Sequence, residues 1–186
     1  MTSSYAVVVL DRDIRWPLAK ELAATFPGDL IKHEMHVCLG ATRIDLAVVN
    51  GSLHGYEIKS DADTLARLPR QIELYDRVLD YSTVVCGPRH AKHVEDVLPP
   101  HWGIRVVGEK SARRVATRNP TVQAFAVAQL LWRDECAAIL ADRGERVKTR
   151  DTRWQLWDRL AMLPIGELQD VVRAHLKARP VERAVG

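Results

Sequence analysis

The sequence has 186 residues, of which 47% are hydrophobic and 27% are charged, and it contains no low-complexity tract. This composition predicts a folded globular protein and argues against extensive disorder. Three widely spaced cysteines without a Cys-x-x-Cys pair argue against a disulfide framework and a structural zinc site. The longest apolar run near the start, residues 6–10, is too short for a signal peptide or a membrane span, so we expect a cytoplasmic protein without membrane association.

The net charge of +3 is distributed unevenly along the chain. Residues 1–100 carry 11 Lys and Arg against 14 Asp and Glu, whereas residues 101–186 carry 16 against 10. This asymmetry is compatible with a protein that binds a cation with one part and phosphates with the other. A solvated basic face would give the same distribution.

The first 60 residues predict one helix and an antiparallel meander. Asp13 can cap a helix over residues 14–26, which Pro27-Gly28 would end. Three alternating segments follow, separated by Gly40-Ala41 and Asn50-Gly51-Ser52, which are typical hairpin connections. The predicted strands cover residues 30–39, 43–49 and 53–60.

The remaining elements extend this meander into an α/β core. Pro69 suits the first turn of a helix over residues 69–80, and strands are predicted at 82–86 and 104–107 with a helix at 90–98 between them. The order α-βββ-α-β-α-β predicts an α+β fold with a mixed sheet flanked by helices. After Gly108 only helices are predicted, over residues 122–142, 152–163 and 165–178. We therefore expect a core over residues 1–108 and a basic helical extension over residues 109–186.

The hairpin over residues 43–60 is predicted to gather charged side chains. Because side chains alternate along a strand, one face should carry Asp45 and the other should carry Ile44, Leu46 and Val48. If the last residue before the three-residue loop pairs with the first residue after it, Asp45 lies opposite Glu57 and Arg43 lies opposite Lys59.

Two facing carboxylates repel each other unless a cation lies between them. A divalent ion, Mg²⁺ or Mn²⁺, would resolve the repulsion, with Asp45, Glu57 and the Ile58 carbonyl as oxygen ligands. Lys59 would hold an attacking water or stabilise the charged phosphoryl transition state. The tripeptide Glu57-Ile58-Lys59 is uninformative alone, since about one such acid-x-Lys pair is expected by chance. An exposed cross-strand ion cluster is the structural alternative.

Three segments carry a family resemblance: Arg43-Ile-Asp45-Leu, Tyr56-Glu57-Ile-Lys59-Ser-Asp61, and a following segment with Gln71-x-x-x-Tyr75. Together they resemble the PD-(D/E)XK, or restriction-endonuclease-like, nuclease superfamily, and most of all a group of small, mostly uncharacterised bacterial and prophage proteins. The resemblance implies that Asp45 and Glu57 bind Mg²⁺, that Lys59 supports hydrolysis, and that Gln71 and Tyr75 lie beside the site. Because Gln71 and Tyr75 are four residues apart, they share one helix face, and both are predicted catalytic residues that contact a phosphate or the attacking water. Ile44 precedes Asp45 where the family pattern has Pro.

An upstream acid usually completes such sites, and two candidates compete. With a two-residue turn at Gly40-Ala41, His36 would face Asp45, and Glu34 would project from the same face. Glu21 on the first helix is the alternative, and it matches where many relatives carry this acid. Glu34 is slightly favoured.

Basic residues near loops and helix starts are candidates for phosphate contacts. The nucleic-acid-binding candidates are Arg43 and Arg67 in the first half and Arg113, Arg114, Lys148 and Arg150 in the basic half, which also contains Arg118, Arg146 and Arg153. The tryptophans of this half, Trp132, Trp154 and Trp157, recur with leucines and are expected to pack between helices.

The sequence thus predicts a Mg²⁺-dependent nuclease that hydrolyses phosphodiester bonds in DNA, with RNA left open. The alternative is a nucleic-acid-binding or partner-binding protein that keeps the nuclease fold without independent catalysis. A homodimer or a larger defence or repair complex is a further expectation, and activity could depend on such a complex.

Overall fold

The computed structural model describes residues 8–180, so residues 6 and 7 of the apolar run near the start lie outside the described part. Within it, one five-stranded sheet contains β1 (Leu30–Val37), β2 (Thr42–Val49), β3 (Leu53–Lys59), β4 (Tyr81–Cys86) and β5 (Gly103–Val106). The strands lie in chain order. The first three are antiparallel and the last three are parallel, which confirms the predicted mixed sheet.

Helices cover both faces of this sheet. They are α1 (Asp11–Thr25), α2 (Leu68–Tyr75), α3 (Ala91–Val97), α4 (Ala124–Ala128), α5 (Arg133–Asp142), α6 (Arg153–Leu160) and α7 (Ile165–Ala178). The apolar side of α1 packs on one face through Ile14, Leu18 and Leu22. The other helices share the larger core on the opposite face. Parallel strands need crossover connections, and α2 and α3 supply them. No helix in residues 8–180 is long and apolar enough to cross a membrane.

The alternation of β2 is interrupted beside Asp45. Ile44 belongs to the larger core, whereas Leu46 packs under α1, so the predicted face shared by these two residues is wrong. Glu34 and Asp45 are opposite each other but are not paired in the β1–β2 ladder, and Glu34 has a left-handed backbone with φ of 54°. Because of this irregularity, Ile44 and Leu46 face opposite sides of the sheet.

The connection between β2 and β3 has the predicted register, because Val49 pairs with Leu53. The ladder stops at Leu46 and Tyr56, however. The predicted pairs of Asp45 with Glu57 and of Arg43 with Lys59 are therefore not formed. Their place is taken by the Asp45 carboxylate, whose Oδ2 accepts a hydrogen bond from the Ile58 N–H at 2.8 Å. The side chain occupies the position that a backbone carbonyl would take in a continuous ladder.

Three helix predictions need correction, whereas that for residues 165–178 is confirmed by α7. The first helix begins at Asp11, so Asp13 is not its cap but lies in its first turn, where it accepts from the Leu10 N–H. The helix expected over 69–80 ends at Tyr75. The helix expected over 122–142 is two helices, because the chain turns between them and Trp132 is extended. The Trp132 N–H donates to Glu135 Oε2 at 2.7 Å, and the Leu131 carbonyl accepts from Trp157 Nε1 at 3.1 Å. Side chains thus satisfy backbone groups that the break exposes.

Residues on both sides of Gly108 share the larger core, and a buried carboxylate joins them. Asp80 is 1% exposed. Its Oδ2 accepts from the Leu53 N–H at 2.7 Å and from Arg173 Nη1 at 3.0 Å, and its Oδ1 accepts from Gln169 Nε2 at 2.7 Å. Two side chains of α7 therefore complete the coordination of a carboxylate that lies directly before β4.

We predict that His54 makes the stability of the fold dependent on pH. This ring stacks on Tyr56 and contacts Thr83 Oγ1 at 2.8 Å, and burial lowers the pKa of His54 to about 4. The His54 ring therefore takes up a proton near pH 6.5 in the unfolded chain but only near pH 4 in the folded chain. The free energy of unfolding falls as the pH falls through this window.

The comparison variant is His54→Gln, which keeps a polar contact with Thr83 and cannot titrate. We expect the free energy of unfolding, measured with urea between pH 6.5 and 4.5, to fall in wild type by up to about 1.4 kcal/mol per pH unit more than in the variant. Parallel pH profiles of the two proteins would show that His54 does not carry the effect.

Candidate active site

A cavity of about 440 Å³ opens where β2 and β3 diverge. Residues from α1, the β1–β2 turn, both strands and α2 line it. Its ionisable and amide side chains are Asp11, Arg15, His36, Arg43, Asp45, Glu57, Lys59, Asp63, Arg67, Arg70 and Gln71. One cavity thus contains four of the predicted residues, Asp45, Glu57, Lys59 and Gln71. Tyr75 does not line the cavity but contacts Glu57 from the larger core.

Asp45 is held between a helix and the neighbouring strand. Its Oδ1 accepts from Arg15 Nη2 at 2.9 Å, while its Oδ2 accepts from the Ile58 N–H. Arg15 also binds Asp11 on its own helix and Glu34 Oε1 on β1, the latter at 2.7 Å. This one guanidinium therefore joins three carboxylates.

Glu57 lies in a closed network with Lys59 and Gln71. Its Oε1 accepts from Lys59 Nζ at 2.7 Å and from Gln71 Nε2 at 2.6 Å, and Lys59 Nζ also donates to Gln71 Oε1 at 2.8 Å. Glu57 and Lys59 are each only 3% exposed. The amide uses both its donor and its acceptor, so it holds the acid and the ammonium in a fixed relation.

Tyr75 is a core aromatic and a site residue at once. Its ring stacks on Trp102 with centroids 6.0 Å apart. Its hydroxyl lies 2.5 Å from Glu57 Oε2 and 2.6 Å from the Arg43 carbonyl oxygen. Gln71 and Tyr75 thus lie on one face of α2, as predicted, and both contact the Glu57 carboxylate.

Burial sets the electrostatics of the two acids. It raises the pKa of Glu57, and the nearby charge of Asp45 raises that pKa further, while Lys59 opposes the rise. Burial also raises the pKa of Asp45, against which the Ile58 N–H and Arg15 act. Each carboxylate thus has its own cationic partner, Arg15 on one side and Lys59 on the other.

The two upstream acids have different surroundings. Glu34 lies beside the site, bound to Arg15 and in an ion pair with Arg43. Glu21 lines another cavity and pairs with Arg105 at 2.7 Å, so the structure does not bring it to Asp45.

The prediction that His36 faces Asp45 is wrong, because His36 pairs with Arg43. The β1–β2 connection has four residues, from Cys38 to Ala41, since β1 ends at Val37 and β2 begins at Thr42. Cys38, Leu39 and Gly40 all have positive φ, which makes this wider turn possible.

The predicted phosphate-binding residues are dispersed. Arg43 and Arg67 line the cavity. Arg113 binds Glu109 and Glu95, and Arg114 donates to the Trp102 carbonyl, so both have structural partners away from the cavity. Lys148 and Arg150 are exposed in the segment between α5 and α6.

Arg15 is the principal site residue that the sequence analysis did not single out. The available signal is local, because Arg15 lies next to the apolar stripe of α1 and four residues after Asp11. Its contacts with Glu34 and Asp45 depend on the docking of α1 against β1 and β2.

The oxygens of the cavity fit a small divalent cation. A carboxylate offers about four lone-pair directions. Asp45 accepts two of the hydrogen bonds described above and Glu57 accepts three, so each keeps accepting capacity. The N–H and C=O of one strand residue point to the same side, so the Ile58 carbonyl faces the gap toward β2.

Among residues 8–180 no group of three or more His, Cys, Asp or Glu side chains is placed to hold a metal. Glu34 therefore does not form a three-acid cluster with Asp45 and Glu57. Two carboxylates, one carbonyl and waters are a donor set that Mg²⁺ uses in proteins.

We expect Lys59→Met to destabilise the fold, because it leaves the Glu57 carboxylate buried without a cation. The loss should be about 2 to 3 kcal/mol, limited by protonation of Glu57. Urea unfolding at pH 7 measures it, and adding Glu57→Gln in the same chain should recover at least about 1 kcal/mol. An unchanged unfolding midpoint for Lys59→Met would contradict the proposed charge balance.

The chain has identifiable relatives. A family model described as bacteriophage P4 protein cII matches residues 18–183. Protein cII of Enterobacteria phage P4 is 42% identical over 74 residues, which cover 40% of this chain and 28% of that protein. The match thus spans less than a third of the curated relative. A solved structure of a protein of unknown function from Silicibacter pomeroyi aligns with 72% of this chain and 92% of its own, at 18% identity and a TM-score of 0.41.

Proposed function

The chain belongs to the bacteriophage P4 protein cII family, and we propose that it is a metal-dependent nuclease of the PD-(D/E)XK type that hydrolyses phosphodiester bonds in DNA. The convergence of Asp45, Glu57 and Lys59 in one cavity carries the proposal. Glu57 is buried and Asp45 interrupts a strand pairing, and neither arrangement is expected of an exposed cross-strand ion cluster.

Asp45, Glu57 and the Ile58 carbonyl would hold Mg²⁺ or Mn²⁺. When bound, the ion would polarise a phosphoryl oxygen and lower the pKa of a coordinated water. Gln71 and Tyr75 act as positioning residues, because they bind the Glu57 carboxylate and keep its orientation. Glu34 would join the ligand set only if Arg15 moved away from it.

Lys59 has the geometry to contact the reacting group. An ammonium has three donors, and two of them are directed at Glu57 and Gln71. The third remains for a phosphate oxygen or for the attacking water. In this buried setting a fixed positive charge stabilises developing negative charge more strongly than it would in water.

Arginines at the cavity explain how a phosphate backbone would be held. Arg43 and Arg67 are exposed at its edge, and their contacts would fix the strand without reading its sequence. Binding should therefore weaken with salt. DNA is the substrate that we propose, and RNA is an arm of the test below. A homodimer or a larger complex stays a prediction.

One observation favours the alternative of a binding protein without catalysis. Arg15 Nη2 contacts Asp45 Oδ1 at 2.9 Å and places a positive charge beside the proposed ligand. A permanent contact of this kind would oppose cation binding, and the other arginines of the cavity would then favour a phosphate or an acidic partner. The two functions differ in whether cleavage occurs at all.

The decisive measurement is cleavage of labelled single-stranded, duplex and branched DNA, and of a matched RNA, with Mg²⁺ or Mn²⁺. We expect DNA cleavage by wild type and at least a roughly 100-fold loss in Asp45→Ala and in Lys59→Ala. Asp142→Ala and Lys92→Ala are matched controls, because both side chains are exposed and line neither the cavity nor its edge. The controls should cleave like wild type.

Cleavage that persists in both site variants would refute the proposed site. Binding of DNA by wild type without cleavage under every metal condition would support the alternative.

A further inference from the structure

A second cavity, of about 380 Å³, lies between β1, the β1–β2 turn and the helical half of the chain. Its cationic side chains come from β1, the start of α6 and the segment after α7. The lining consists of Lys32, Met35, His36, Val37, Cys38, Leu39, Gly40, Gln129, Leu130, Trp132, Arg153, Leu176 and Arg179. These thirteen residues include three Lys or Arg and no Asp or Glu. The wall therefore contains cationic side chains and no acidic side chain of its own.

Lys32 is the most informative member of this wall. It is only 9% exposed, and among residues 8–180 no hydrogen bond or ion pair engages its ammonium. Burial lowers the pKa of Lys32, and the charge of Arg179 lowers it further. The side chain is thus largely removed from water, and a negative partner would stabilise its charge. Because Lys32 lines the cavity, an anion in the cavity would compensate it.

The two arginines have different roles in this wall. Arg179 is already balanced, since it binds both carboxylate oxygens of Glu135 at 2.6 and 2.8 Å and lies over the Trp132 ring. Arg153 lies over the Trp157 ring and has no carboxylate partner among the described residues. Lys32 and Arg153 therefore provide the excess positive charge.

The two cavities adjoin each other. His36 and Gly40 line both of them, so the β1–β2 turn separates the proposed active site from the second cavity by the width of one turn. A strand that crosses the turn would pass from the arginines around Asp45 to Lys32 and Arg153. The volume suits a nucleotide-sized group and not a duplex.

We propose that the second cavity binds a phosphate of a single-stranded nucleic-acid flank that continues from the active site, with Lys32 and Arg153 as its ligands. That the occupant is a nucleic-acid strand rests on the proposed function. The cationic wall is observed independently of that function, so the anion site and the nuclease activity can be tested separately.

The test is the affinity of a labelled 20-nucleotide single-stranded DNA measured by fluorescence anisotropy in EDTA, over a range of salt concentrations. Lys32→Met should weaken binding about 5- to 10-fold at low salt. It should also reduce the slope of log affinity against log salt by about 0.7, the value of one lost phosphate contact on a single strand. Lys92→Met, which removes an exposed lysine away from the cavity, should change neither quantity.

Two further measurements protect the test against a folding defect. The melting temperature of Lys32→Met should equal or exceed that of wild type, because the substitution replaces a largely desolvated cationic side chain by an apolar one. Arg153→Gln alters an exposed position at the start of α6 and should weaken binding in the same way.

Unchanged affinity and salt slope in both variants would overturn the proposal. Inorganic phosphate and deoxyadenosine monophosphate form a second arm. If they stabilise wild type but not Lys32→Met while oligonucleotide affinity is equal in the two proteins, the cavity binds a small free anion and the strand proposal fails.

If wild type does not cleave DNA but Lys32→Met still weakens binding, the nuclease proposal fails and the phosphate site stands. If cleavage depends on Lys59 but Lys32→Met changes neither affinity nor salt slope, the nuclease proposal stands and the phosphate-site proposal fails.

Discussion

Charge compensation at the point where β2 and β3 diverge links the two faces of the sheet. Asp45 and Glu57 are carboxylates in surroundings that disfavour their ionised forms. Lys59 balances Glu57 from the same strand, and both acids also bind groups from the flanking helices. These helix groups come from opposite faces of the sheet. Arg15 comes from α1 on one face, and Gln71 and Tyr75 come from α2 on the other. The positions of both helices are therefore coupled to the same break in the strand ladder.

The sequence predicted those parts of the fold and site that depend on neighbouring residues. The β2–β3 register was predictable because the loop is closed locally, by Asn50 Oδ1 accepting from the Ser52 N–H at 2.9 Å. The β1–β2 turn was not, because Cys38 and Leu39 adopt left-handed conformations for which their residue types give no signal. That one unpredicted turn displaced His36 from its expected partner. Gln71 and Tyr75 could be placed on one helix face, but their contacts with Glu57 required the docked crossover.

Long-range contacts account for the remaining differences. Arg15 reaches a partner 30 positions away, so no local pattern indicates it. The break between α4 and α5 lies in an apolar stretch without Gly or Pro, and the helical pattern continues through it. The turn depends on a tertiary contact, the hydrogen bond from Trp157 Nε1 to the Leu131 carbonyl, and on a local cap in which Glu135 accepts from the Trp132 N–H. The cavity beside Lys32 likewise needs residues from β1 and from the last described turn of the chain.

The coordination of Asp80 has a consequence for the order of events during synthesis. The carboxylate and the strands around it leave the ribosome about 90 residues before Gln169 and Arg173, the separations being 89 and 93 positions. Until α7 is made, the Asp80 carboxylate cannot be buried with its native partners and must keep its water. The sheet can therefore pair early, but its final desolvated state waits until α7 has been synthesised. Docking of α7 thus acts as a late step of folding for a strand made about 90 residues earlier.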